Sequence, residues 1–123
     1  MNLGPRAYIA FEIGPTIAGL ESGLALTRAA AEAGGDAIKW QLLRPDRLVG
    51  RDVPVSFGTL DGPMTRSMRE ILDRRSLHNA EWLTMAQAAR ACRLEIIATV
   101  DYPETLKLAC DLDVDALKVC SGA

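Results

Sequence analysis

Two lysines stand at the centres of short apolar runs: Lys39 in "DAIKW" (36–40) and Lys118 in "DALKV" (115–119). Both runs read as strands. A lysine buried in a strand without a partner costs on the order of several kcal/mol, so an anion is expected beside it. The chain offers one carboxylate in a comparable setting, Glu12 in "YIAFEI" (8–13). One carboxylate against two ammonium groups leaves a positive excess, which an external phosphate or carboxylate would balance. Thr99 ends the run "LEIIAT", and Ser121 directly follows "DALKVC". Their hydroxyls, with the two ammonium groups, would make an anion cradle at the strand ends. The same spacing also suits lysines that emerge at a strand end and reach solvent.

The elements that must position these groups follow from periodicity. Alternation predicts strands at 8–13, 36–42, 94–99 and 115–120. Helical spacing predicts helices at 20–33, 80–92 (with Asn79 as its cap) and 103–112, the last opened by Pro103. Between them, residues 43–78 form a long loop after the second strand, punctuated by proline and glycine, with a short helix expected near 64–74. Alternating strands and helices imply a parallel sheet with right-handed crossovers. The strands are two-faced: Ile38, Trp40 and Leu42 oppose Ala37, Lys39 and Gln41, and Leu117 and Val119 oppose Ala116, Lys118 and Cys120. A doubly wound sheet is apolar on both faces. An apolar outside with a small, polar inside is the pattern of a TIM barrel, whose inward layers come from alternate strands. Lys39 and Lys118, on the second and fourth strands, would then face each other. Such a barrel has eight strands and about 250 residues. The fold class expected is therefore α/β, parallel β/α units forming half of a TIM (β/α)8 barrel, with four strands and three or four helices in a single unit over 1–123. Its two open sheet edges, at the first and fourth strands, invite pairing with a second copy or with a missing other half.

Bulk properties narrow the classes. Of 123 residues, 49% are apolar and 24% charged, with a net charge of −2 and no basic cluster suited to a nucleic-acid backbone. The start lacks a signal-peptide pattern, and no apolar run approaches the roughly 18–20 residues of a membrane span. Three cysteines without CxxC spacing fit a reducing cytoplasm and read as small core fillers. The lone histidine, His78, has no clustered carboxylates, so no metal site is expected within the chain. Trp40 and Trp82 read as packing between strands and helices, and Arg28, Glu32, Arg90 and Glu104 as solvated helix faces.

Four stretches, "FEIG", "AGGDAIKWQ", "RLVGRDVP" and "LKVCSG", occur in the order and on the elements seen in N-acetylneuraminate (sialic acid) synthases. The chain resembles the N-terminal half of that family's barrel, from Tyr8 to Gly122. The resemblance implies condensation of phosphoenolpyruvate with an N-acylated amino sugar to a nonulosonic acid, releasing phosphate, with a divalent metal (Mn or Mg) whose histidine ligands lie outside this sequence. It assigns Lys39, Thr99, Lys118 and Ser121 to phosphoenolpyruvate. Glu12 and Gln41 would face the sugar, and Glu12 would handle a proton. The chain departs from the family where Thr16 and Ile17 replace an Asn-His pair, where Ala123 replaces Glu, and where Asp101 and Tyr102 rearrange a Thr-Pro-Phe-Asp motif. These departures also suit a non-catalytic, barrel-derived scaffold or interaction module.

Overall fold

The structure, a computed structural model, describes residues 6–120. Its strands and helices are β1 (Ala10–Glu12), α1 (Leu20–Glu32), β2 (Ala37–Gln41), α2 (Pro45–Leu48), β3 (Pro54–Thr59), β4 (Gly62–Ser67), α3 (Met68–Asp73), α4 (Asn79–Ala91), β5 (Glu95–Val100), α5 (Pro103–Asp111) and β6 (Ala116–Val119). A short 3₁₀ turn, Gly14–Thr16, follows β1. Four strands form one parallel sheet in the order β1-β2-β5-β6, and β3 and β4 form a separate antiparallel hairpin. Each new parallel strand joins the same edge. That is how a barrel wall grows, whereas a doubly wound sheet reverses direction.

The outward faces make the core. Ile38 and Trp40 on β2, Leu42 just after it, and Ile96 and Ala98 on β5 are fully buried beneath the helices, together with Trp82 and Met85 of α4. The Trp40 and Trp82 rings lie 5.5 Å apart with their planes tilted by 38°. The expected role of these tryptophans in strand-to-helix packing is observed. On β6 the outward residues Leu117 and Val119 are exposed, as is Ile9 just before β1. Both sheet edges thus leave apolar side chains facing water.

A repeated joint accounts for half of the "DA-aliphatic-K" motif. After α1, α4 and α5 the chain passes through a left-handed residue: Gly34, Arg93 and Asp113, with φ of 81°, 61° and 52°. Backbone N–H groups of Gly35, Leu94 and Val114 then bond back to the carbonyls of Ala30, Ala89 and Ala109. This closes each helix end in the same way. The Asp36 carboxylate accepts the Ile9 N–H at 2.9 Å, and Asp115 accepts the Ile96 N–H at 2.8 Å. In each case an aspartate entering a strand ties it to the strand before. Arg90, expected on a solvated face, belongs to this joint. Its guanidinium donates to the carbonyls of Leu112 and Asp113 and sits 3.7 Å from the Asp115 carboxylate.

Residues 43–78 carry more structure than their proline and glycine content suggests. The helix expected near 64–74 starts only at Met68, because residues 62–67 pair as a strand with 54–59. Thr59 opposes Gly62, which takes the positive φ of 112° that the tight turn demands. Ser67 then caps α3 by accepting the Glu70 N–H at 3.1 Å. At α4 the cap position falls on His78 rather than Asn79, with the His78 N–H donating to the Glu81 carboxylate at 2.7 Å. Cys92, half-buried, packs against the core as expected of a small filler. Cys110 is exposed on α5 and Cys120 only half-buried, so these two are not the core fillers expected.

Candidate functional site

Parallel register places partner residues on one side of a sheet. Glu12 pairs in register with Lys39, Gln41 with Thr99, and Thr99 with Lys118. Five of the six residues expected at the site therefore share the inward face near the C-terminal strand ends. The sixth, Ser121, lies outside the described residues.

The charges are arranged around Glu12. One carboxylate oxygen contacts the Lys39 ammonium, and the other accepts the Gly14 N–H at 2.9 Å. Among the described residues Lys118 makes no ion pair. Burial, and next the charge of Lys118, hold Lys39 below the ordinary lysine value; the Glu12 contact acts in the opposite sense. Lys118 is thus close enough for its charge to act on Lys39, and among Glu12, Lys39 and Lys118 one net positive charge remains.

This lowered value fixes a pH dependence. Below it, Lys39 is charged in both folded and unfolded chains and its full penalty on the fold is present. Between it and the unfolded value the folded chain holds fewer protons, so the penalty lifts as pH rises. An anion that keeps Lys39 charged must take up a proton in that interval. Calorimetry across buffers of different ionisation heat is expected to show proton uptake on anion binding in alkaline solution, with affinity falling as pH rises. Buffer-independent heats would exclude Lys39 from the anion site.

Thr99 is 3% exposed, and its hydroxyl has no hydrogen-bond partner. Asp101 directly follows the same strand. Both its carboxylate oxygens are inaccessible and equally without partners, although its N–H donates to the Thr105 hydroxyl at 3.1 Å. Buried polar atoms are nearly always satisfied, so two such groups at one strand end are candidates for ligand contact. The sequence treated Asp101 only as part of a rearranged motif. Its position two residues beyond Thr99 was the available signal.

Gly14 is required by the close approach of this turn to the sheet. A Cβ there would lie 2.7 Å from the Gln41 backbone nitrogen and 2.8 Å from the Glu12 carboxylate. The first cannot move without breaking β2. Gly14→Ala is expected to cost about 1–3 kcal/mol of stability, as overpacking does, and to displace Glu12 from Lys39. Urea unfolding checks the first effect, and the pH titration of Lys39 the second. The neighbouring Thr16 and Ile17 are turned to structural use: the Thr16 hydroxyl donates to the Ile13 carbonyl at 2.9 Å, and Ile17 is fully buried in the core.

Among the described residues no group of three or more histidine, cysteine, aspartate or glutamate side chains is placed to hold a metal ion. His78 is exposed. No described helix is long and apolar enough to cross a membrane.

Comparison with known proteins places this arrangement. An N-acetylneuraminic acid (sialic acid) synthetase from Leptospira borgpetersenii serovar Hardjo-bovis, solved in complex with citrate, superposes with a TM-score of 0.73 at 19% identity, over 97% of this chain and 40% of its own. A protein described as spore coat polysaccharide biosynthesis protein E, from Chromobacterium violaceum, gives 0.71 at 20% identity, over 95% of this chain and 34% of its own. The chain therefore spans well under half the length of either. At these identities the likeness carries the fold, the N-terminal part of a TIM barrel. No curated protein matches the chain. Residues 26–123 match the NeuB family, and with that match covering most of its length, the chain belongs to the NeuB family.

Proposed function

We propose that this half-barrel contributes the phosphoenolpyruvate side of a nonulosonate synthase, a larger enzyme that joins phosphoenolpyruvate to an N-acylated amino sugar and releases phosphate. One observation carries the reading. The buried, unpartnered Thr99 hydroxyl sits in register between Gln41 and a lysine that lacks a carboxylate partner. A phosphate or carboxylate would satisfy both at once. In this reading Lys118 and Thr99 hold the anion and Lys39 adds its charge, with Ser121 as a further donor. Glu12 and Gln41 face the sugar. Glu12, ion-paired with the Lys39 ammonium, would relay a proton from Lys39 to the sugar oxygen that becomes a hydroxyl, leaving Lys39 neutral. The Mn or Mg ion expected from the family resemblance does not fit the described residues, and none of these roles depends on it.

Calorimetric titration of phosphoenolpyruvate, with inorganic phosphate for comparison, tests the proposal. Saturable binding that prefers phosphoenolpyruvate is expected; equal binding of both would reject it.

The first loop favours a second reading. With Thr16 bonded to its own turn and Ile17 in the core, that loop presents neither an amide nor an imidazole to the site. A barrel-derived scaffold without catalysis would tolerate this. It predicts a stable oligomer closed through the β1 and β6 edges and no ligand preference. Phosphate release from phosphoenolpyruvate and an N-acylmannosamine-type sugar would refute it.

A further inference from the structure

The residues of the anion cradle leave a second concavity unused. Between the β3–β4 hairpin and α3 lies a cleft of about 470 Å³, within the range of small-molecule sites. Val55 and Phe57 of β3 and Met68, Ile71 and Leu72 of α3 make its walls, and Ala18 closes one side. Ala18 belongs to the connection that leaves the C-terminal end of β1, and the hairpin and α3 to the one that leaves β2. The cleft is therefore built by connections that leave the C-terminal end of the sheet, the end that carries Glu12 and Lys39, but neither of those residues lines it.

Its rim is cationic. Arg66, Arg74 and Arg75 border the apolar floor. Arg66 and Arg74 both reach the same oxygen of Glu70, each at 2.8 Å. Among the described residues Arg75 makes no ion pair. The rim thus carries three guanidinium groups, two of them sharing the Glu70 carboxylate, and Phe57 keeps 38% of its surface in water. An apolar floor under a positive rim is complementary to a molecule with an apolar body and an anionic head.

We propose that this cleft binds a small soluble amphiphilic anion. Its hydrocarbon or aromatic body rests on Val55, Phe57 and Ile71, and its carboxylate, phosphate or sulfonate head lies among Arg66, Arg74 and Arg75. This site is separate from the lysine cradle and does not depend on the synthase reading.

The test is a fluorescence titration of the whole chain with 8-anilinonaphthalene-1-sulfonate, which has both features. A saturable rise is expected, displaced by n-octyl phosphate but not by inorganic phosphate. Arg75→Glu weakens it by about tenfold or more, the effect of one charge-assisted contact. Lys118→Met leaves it unchanged, as does a Leu117→Thr, Val119→Thr pair that alters the exposed apolar surface of β6. If Arg75→Glu loses its far-ultraviolet dichroism, Arg75→Gln is measured instead, with the same weakening expected. A rise that does not saturate would overturn the proposal, as would displacement by inorganic phosphate alone, unchanged affinity in the Arg75 variant, or loss of binding in the β6 pair. Co-sedimentation with anionic vesicles without binding of free octyl phosphate would overturn the assignment to a soluble ligand.

Discussion

Lys118→Met is expected to weaken phosphoenolpyruvate binding by about 10–100-fold. A hydrogen bond to a charged group is worth about 1.5–3 kcal/mol, and 1.4 kcal/mol is tenfold in affinity. The substitution suits the test because it leaves the fold alone. Lys118 is exposed on the edge strand β6, makes no ion pair among the described residues, and is replaced by a side chain of similar length. It also has a second readout. The Lys118 charge is one of the two causes that hold Lys39 low. In Lys118→Met the Lys39 titration is expected to move upward in the ligand-free protein, whatever happens to binding. An upward shift with unaltered phosphoenolpyruvate affinity would keep the geometry and reject the anion site. Lys39→Met is a poorer probe. It strands Glu12 without its cation, so lost binding and lost stability would arrive together.

Trp40→Ala should produce the largest loss of stability. Trp40 is fully buried on β2, a central strand paired to β1 and β5, with its ring against Trp82. Truncating a buried tryptophan to alanine costs about 3–5 kcal/mol through lost transfer energy and the cavity left behind. Domains carry only about 5–15 kcal/mol in total. The urea midpoint is therefore expected to fall by about a fifth or more of its value, or the cooperative transition to vanish at room temperature. Trp40→Phe separates volume from polarity. The Trp40 indole N–H is buried without a partner, so phenylalanine removes an unsatisfied donor while keeping a ring. Its cost is expected below about 1.5 kcal/mol. Equal losses in both variants would mean that the indole nitrogen has a partner in solution.

Much of this molecule was legible without coordinates. The four parallel strands and three main helices lie where their periodicities put them, because each is long enough to bury one face and to show that in its pattern. The inward residues Glu12, Lys39, Gln41, Thr99 and Lys118 could be placed on one face because side chains alternate along a strand. Parallel neighbours then carry that alternation across the sheet.

The long connection after β2 was read less well. Its hairpin strands are short and mostly exposed, so no apolar alternation marks them. The Asp61-Gly62 turn was their one clear signal. Side-chain partnership was also out of reach. That Glu12 divides itself between Lys39 and the Gly14 N–H, that Thr99 and Asp101 lack partners, and that Arg90 clamps the α5–β6 joint all depend on distances between residues far apart in the chain. By itself, then, the sequence determined the parallel half-barrel, its inward polar face and the presence of both lysines on that face, since these follow from local period and strand order. Only the tertiary structure decided which charges are neutralised, which polar groups remain open, and that a cationic cleft forms beside the hairpin, because those depend on how separate elements pack together.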